Sequence, residues 1–150
     1  MSRFEEFAAL HVQGNPVMLY NVWDVGSALA VIAAARRSVG EAFFINARTD
    51  LFLKAKPEDH DDALVDQAIE RGKAFAGAGA NGFFVPRLGD LRLVERVVKA
   101  VPLPVNAIAY PGAPSKAEWA SAGIARISHG PFPHKALMAQ LTEAAKAAIG

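Results

Sequence analysis

Five short hydrophobic runs punctuate the chain: PVMLY from Pro16, AFFIN from Ala42, GFFV from Gly82, VNAIA from Val105 and IARIS from Ile124. Each is apolar nearly throughout rather than alternating with polar residues. That pattern predicts short strands buried on both faces, hence a parallel sheet. Between the runs, apolar residues recur at helical spacing and predict helices over 26–38, 63–77, 91–100, 116–122 and 135–149. A further short helix is expected at the start, where Ser2 and Glu5 have capping-box spacing and Phe4, Phe7, Ala8 and Leu10 share a face; Gly14-Asn15-Pro16 then breaks it. Strand–helix alternation with right-handed crossovers gives stacked βα units in an α/β fold. Neither a linker, a low-complexity segment nor a close repeat interrupts the pattern, so 1–150 reads as one domain.

Composition narrows this only by exclusion. The 150 residues are 52% hydrophobic and 21% charged, which suits a globular chain rather than a disordered one. The 16 basic and 15 acidic residues nearly cancel and form no dominant basic face, so nucleic acid is not an expected partner. The chain has no cysteine, which removes thiolate chemistry and fits a reducing cytoplasm. No apolar stretch approaches membrane-spanning length, so no membrane partner is expected either.

In parallel βα folds, ligands bind at the carboxyl ends of the strands. The polar residues predicted there are Asn21 and Asp24; Asn46, Arg48 and Asp50; Arg87, Asn106 and Tyr110; and finally Ser128 and His129. Cations and amides around one mouth suit a small anion, because a guanidinium can grip a carboxylate with two parallel hydrogen bonds. The plainer reading is that strand ends are polar anyway and that Arg48 and Asp50 pair with neighbours. The acidic run Glu58, Asp59, Asp61 and Asp62 reads as a solvated helix cap, with His60 exposed among it. Trp119 and Met138 read as packing residues on helices.

Several segments resemble the isocitrate lyase/phosphoenolpyruvate mutase family. VMLYNVWDVGSA is similar to that family's first strand and turn, FFINARTD to its fifth strand and AGANGFFVPRL to its sixth. LPVNAIAYPGAPS is similar to the seventh and GIARISHGP to the eighth. The resemblance implies a (β/α)8 barrel, which ordinarily takes roughly 250 residues. With about five strands, this chain is expected to be a partial, incomplete TIM barrel. A segment carrying strands two to four is missing near 28–31. The alternative is a flavodoxin-like open sheet, for which the chain lacks a convincing phosphate loop or phosphoacceptor aspartate.

The resemblance also implies a chemistry. Family members carry a Ser-Gly-type loop after strand two, an acidic pair after strand three and a glutamate after strand four. The acidic residues hold Mg²⁺, which stabilises an enolate-like transition state. None of these motifs has a counterpart here, so no metal ligand is expected in this chain. What carries over is smaller. Arg48 matches the arginine that grips a substrate carboxylate or phosphonate, and Asn46 stands beside it in the same motif. Asn106 matches a strand-seven asparagine facing the substrate, and Asp24, with Trp23, matches the supporting turn after strand one. Pro86-Arg87 stands where several members have histidine or glutamate, and His129 is the candidate acid or base.

Three readings follow. One is an enzyme that cleaves or forms a C–C or P–C bond next to a carboxylate, impaired by the missing metal site. Another is a non-catalytic remnant that binds small carboxylates or only assembles. The last is an unrelated flavodoxin-like domain. The barrel-derived strand order places Pro16–Tyr20 beside Ile124–Ser128, with the Ala42–Asn46 strand at the far edge. Open edges, and the family's habit of associating through its last helices, imply a homo-oligomer.

Overall fold

The computed structural model describes residues 20–22, 25–39 and 44–150. Within them the strands are β1 (Tyr20–Val22), β2 (Ile45–Arg48), β3 (Gly82–Phe84), β4 (Val105–Ile108) and β5 (Arg126–Ser128). The helices are α1 (Val25–Val39), α2 (Leu51–Lys54), α3 (Asp62–Gly77), α4 (Leu91–Ala100), α5 (Lys116–Ser121) and α6 (Phe132–Ile149). The expected amino-terminal helix, and most of the Pro16–Tyr20 strand, lie outside the described residues.

Local chemistry sets the helix starts. Asp61 accepts the Leu64 amide at 2.8 Å and Asp90 accepts the Leu93 amide at 3.2 Å, capping α3 and α4. Ser115 and Glu118 form a reciprocal capping box at α5. Within the acidic run before α3, Asp61 is the cap; Glu58 and Asp59 lie in a short turn over Pro57–Asp59, and Asp62 pairs with Arg92 and Arg96. His60 is not simply exposed: its ring packs edge-on against Phe52 at 5.3 Å, and its Nε2 lies 3.1 Å from the Phe52 carbonyl oxygen. That contact depends on α2, a one-turn helix that the polar flanking sequence gave no reason to expect.

All five strands are parallel and follow one another across the sheet in chain order. This corrects the expected pairing of the first strand. Tyr20 aligns with Ile45 and Val22 with Ala47, so β1 pairs with β2 and not with β5. The outer strands are β1 and β5, and β2 is interior. The sequential order also differs from a flavodoxin-like one, which would insert the first strand between its successors.

The reason is the length and duty of α1. Its 15 residues rise about 22 Å, enough to run back along the sheet and re-enter beside the strand just left. Crossing to the far edge would turn the helix across the strands and withdraw Ile32 from the core, where it is buried.

The core lies on one side of the sheet. Ile45, Ala47, Phe83, Val85, Val105 and Ala107 pack there against Val65, Ile69, Phe75, Leu93, Val97 and Trp119 of the helices. Each fully buried large side chain contributes roughly 1.5–3 kcal/mol. Trp119 is buried as expected, but Met138 is 43% exposed, because α6 has no buried residue and leaves the packed body. The side chains that alternate with the core set, from Asn46 to Ser128, occupy the opposite face.

Candidate functional site

The opposite face is polar, and the strand register aligns its residues into rows. One row runs Arg48, Phe84, Asn106, Arg126, each aligned with the next on the neighbouring strand. A second row aligns Asn46 and Gly82.

Gly82 lets the rows interact. A Cβ at Gly82 would stand 2.7 Å from Asn46 Oδ1, so only glycine leaves room for that amide. Asn46 therefore reaches across β3, and its Oδ1 accepts a 2.6 Å hydrogen bond from Asn106 Nδ2. From the other side, the Arg126 guanidinium reaches to 5.8 Å from the centre of the Phe84 ring, crossing β4. Asn106 lies beneath this cover and is only 4% exposed. A buried amide left unpaired would cost about 1–3 kcal/mol, so the Asn46–Asn106 bond is a structural constraint as well as a chemical feature.

Arg48 ends β2 on the same face as Asn46, two residues on, or roughly 7 Å along the strand. Its Nε lies 2.9 Å from Asp50 Oδ1, and its Nη2 donates to Asp50 Oδ2 at 3.3 Å. The neighbour pairing foreseen as the plainer reading is present. It does not use up the guanidinium: Asp50 engages the Nε–Nη2 edge, while the Nη1–Nη2 edge keeps its own pair of donors. The Arg48 side chain is 41% exposed. Asp50 thus orients Arg48 while leaving one fork available to an anion.

The sequence-predicted residues divide accordingly. Arg48, Asn46 and Asn106 come together on one face. His129 does not join them. It follows Ser128 at the end of β5 and lines a cleft of about 420 Å³ with Trp119, Ala120, Ile124 and Ile127, against α5. Asp24 and Trp23 lie outside the described residues. Arg126 was missed as a site residue. Its signal was strand alternation, since Ile127 faces the helices and Arg126 and Ser128 must therefore face the other way. A second cleft, of about 520 Å³, lies between the loops after β3 and β4 and includes His60, Arg87 and Tyr110.

The face does not suit a divalent cation. Among the described residues, no three histidine, aspartate or glutamate side chains converge. Among the described residues the polar groups of this face are guanidinium and amide groups with the Ser128 hydroxyl; the Asn46 oxygen is already taken by Asn106, and Asp50 is neutralised by Arg48. Mg²⁺ seeks a shell of oxygen ligands around carboxylates, and this donor set repels it. No chemical step is routed through a metal here.

Comparison with known proteins places this geometry. A family model for phosphoenolpyruvate phosphomutase matches residues 28–149. Uncharacterised proteins from two strains of Mycobacterium tuberculosis are each 32% identical over 124 residues, covering 83% of this chain and 45% of their own length. The chain thus spans about half the length of the curated relatives it matches. The crystal structure of a candidate phosphonomutase from Burkholderia cenocepacia is similar with a TM-score of 0.78 and 40% identity, covering 95% of this chain and 62% of that one. A candidate lyase/mutase from the same organism gives 0.75 at 25% identity, covering 94% of this chain and 54% of that one. A 2,3-dimethylmalate lyase, a member of the PEP mutase/isocitrate lyase superfamily, gives 0.67 at 18% identity over 90% of this chain and 50% of its own. That last likeness carries the fold alone: the parallel sheet is a partial TIM-barrel-like arc.

Proposed function

Because this chain belongs to the phosphoenolpyruvate phosphomutase family, we propose that it binds a small carboxylate or phosphonate on the polar face of its sheet. The observation that carries this reading is the Nη1–Nη2 edge of Arg48, which no described residue is seen to pair, held in place by Asp50 from the other edge. Asn46 is the second contact. With its Oδ1 given to Asn106, its amide nitrogen is turned away from Asn106 and can donate to the same anion. Asn106 acts through Asn46, by orienting it, since its own burial keeps it from the ligand. Arg126 adds positive charge to the same face.

The ancestral reaction of such a site would make or break a C–C or P–C bond next to the bound carboxylate. This chain supplies anion binding and orientation, and the described residues supply neither the metal ligands nor an acid–base group beside the anion. We therefore read it as binding-competent and catalytically impaired, with residues 1–150 acting as one domain. His129, on the helix side of the sheet, is left out of the binding set.

The same reading includes self-association. Leu137 and Leu141 lie one turn apart on α6 and are 60% and 62% exposed, an apolar stripe that a second copy would cover. Among the described residues no helix is long and apolar enough to cross a membrane.

The test is oxalate or pyruvate binding by isothermal calorimetry, with Arg48→Ala as the control. A charge-assisted fork contributes roughly 1.5–3 kcal/mol, so the variant should lose about 10- to 150-fold in affinity and keep its circular dichroism spectrum. Equal affinity in the variant, or no binding by the parent chain, would end this reading.

A further inference from the structure

The cleft of about 520 Å³ beyond β3 and β4 lies outside the Arg48 face, and Arg48 does not line it. Its volume is that of an ordinary small-ligand site. Arg87 stands in it at a position where the backbone works against arginine. Pro86 and Arg87 form a turn, and Arg87 has φ of 76°, the left-handed region that the residue after proline enters in a type II turn. Glycine or asparagine normally occupies that position, because a Cβ there is strained. An arginine in such a place, rather than the glycine the turn would favour, points to a use for its side chain.

The surroundings present that side chain rather than neutralise it. The Arg87 guanidinium lies 4.2 Å from the centre of the Tyr110 ring, and among the described residues it makes no ion pair. Tyr110 is fixed in turn: its hydroxyl oxygen occupies the space 2.2 Å from where a Cβ at Gly89 would stand. The residue at 89 must be glycine for the ring to lie there. The two carboxylates on the wall are already oriented, Asp90 by the Leu93 amide and Glu118 by the Ser115 amide at 2.7 Å. Each uses one oxygen in this way, and the other can accept a hydrogen bond from a ligand hydroxyl. One stacked guanidinium faces a wall of acceptors.

We propose that Arg87 is an oxyanion-binding residue, and that this cleft takes a small hydroxylated acid or phosphate ester. The oxyanion meets the Arg87 fork, and hydroxyl groups on the attached carbon chain meet Asp90, Glu118 and Tyr110. A bare anion gains only the first contact and is repelled by the carboxylates, so the cleft discriminates in favour of hydroxylated ligands.

The experiment is a titration of the ¹⁵N-labelled chain with glycerol phosphate and with inorganic phosphate, with and without Arg87→Gly. Saturable shifts of the Gly89, Gly112 and Ala113 amides are expected with glycerol phosphate, at an affinity at least threefold above that for inorganic phosphate. Arg87→Gly should weaken the saturation at least tenfold, and should raise the melting midpoint by roughly 2–4 °C because glycine suits the turn. Arg87→Asn, which also tolerates positive φ, should bind as poorly. Absence of saturation at tens of millimolar ligand, persistence of the shifts in the variants, or a lowered melting midpoint in both would overturn the proposal. Oxalate added to the same samples reports on Arg48 separately through the Thr49 amide, so the two sites stand or fall independently.

Discussion

Replacing Gly82 by alanine tests the link between the sheet and its polar face. The added Cβ would sit 2.7 Å from Asn46 Oδ1, and 3.1 Å from the edge of the Phe44 ring. Phe44 is 54% exposed and can swing away, whereas Asn46 is tied to Asn106. The amide must move, and its movement leaves Asn106 Nδ2 buried without an acceptor, costing about 1–3 kcal/mol. Alanine recovers roughly 0.5–1 kcal/mol over glycine within a strand. The net expectation is a loss of up to about 2.5 kcal/mol, centred near 1 kcal/mol, or roughly 2–4 °C in melting midpoint at that centre for a chain of this size. Urea unfolding of Gly82→Ala, Asn46→Ala and the double variant forms the decisive cycle. With the Asn46 amide already gone, the alanine Cβ meets no obstacle, and the double variant should be little worse than Asn46→Ala. Strict additivity, or a Gly82→Ala chain as stable as the parent, would show that glycine is not there to admit Asn46.

Three further outcomes are expected. Calorimetric titration with MgCl₂ should show only weak, non-stoichiometric binding, because among the described residues no cluster of carboxylate or histidine ligands converges; a stoichiometric micromolar site would restore a metal-dependent reading. The Asp62 carboxyl is held below the ordinary carboxylate range by hydrogen bonding to Arg92, and also to Arg96. Its contribution is therefore present above the unfolded-state value near pH 3.9 and is lost as pH falls through the lower folded-state value; urea midpoints between pH 5 and 2 should fall more steeply for the parent than for Asp62→Asn. Leu141→Glu should shift the sedimentation profile towards the monomer, and an unchanged profile would remove α6 from any assembly interface.

Much of this was legible in the sequence because buried parallel strands carry a strong signal of their own. Runs such as GFFV and VNAIA are apolar without alternation, and each lies within a residue or two of a strand in the structure. Their polar termini drew attention to Arg48, Asn46 and Asn106 before any geometry was known. The partnership of β1 was less accessible. An apolar strand states that it is buried but not beside which neighbour, and that choice fell to the span of α1 and the burial of Ile32. Motif likeness pointed to the other edge, because it carried over the neighbours of a complete barrel to a chain that supplies only part of one.

The same limit explains the division of the site residues. A strand end tells which residues lie at the mouth, but the face each one takes follows from alternation along the strand. Reading only the polar residues at the end of the last strand directed attention to His129 and passed over Arg126 within it. In the structure β5 begins at Arg126, and alternation from there sets Arg126 and Ser128 on the polar face and Ile127 among the helices. His129 then follows on the helix side, beside Trp119. The face thereby exchanges a titratable ring for a permanent cation. With Arg48 and Arg126 at the two ends of one row, the binding reading proposed above rests on permanent positive charge, and binding rather than turnover is the property to measure first.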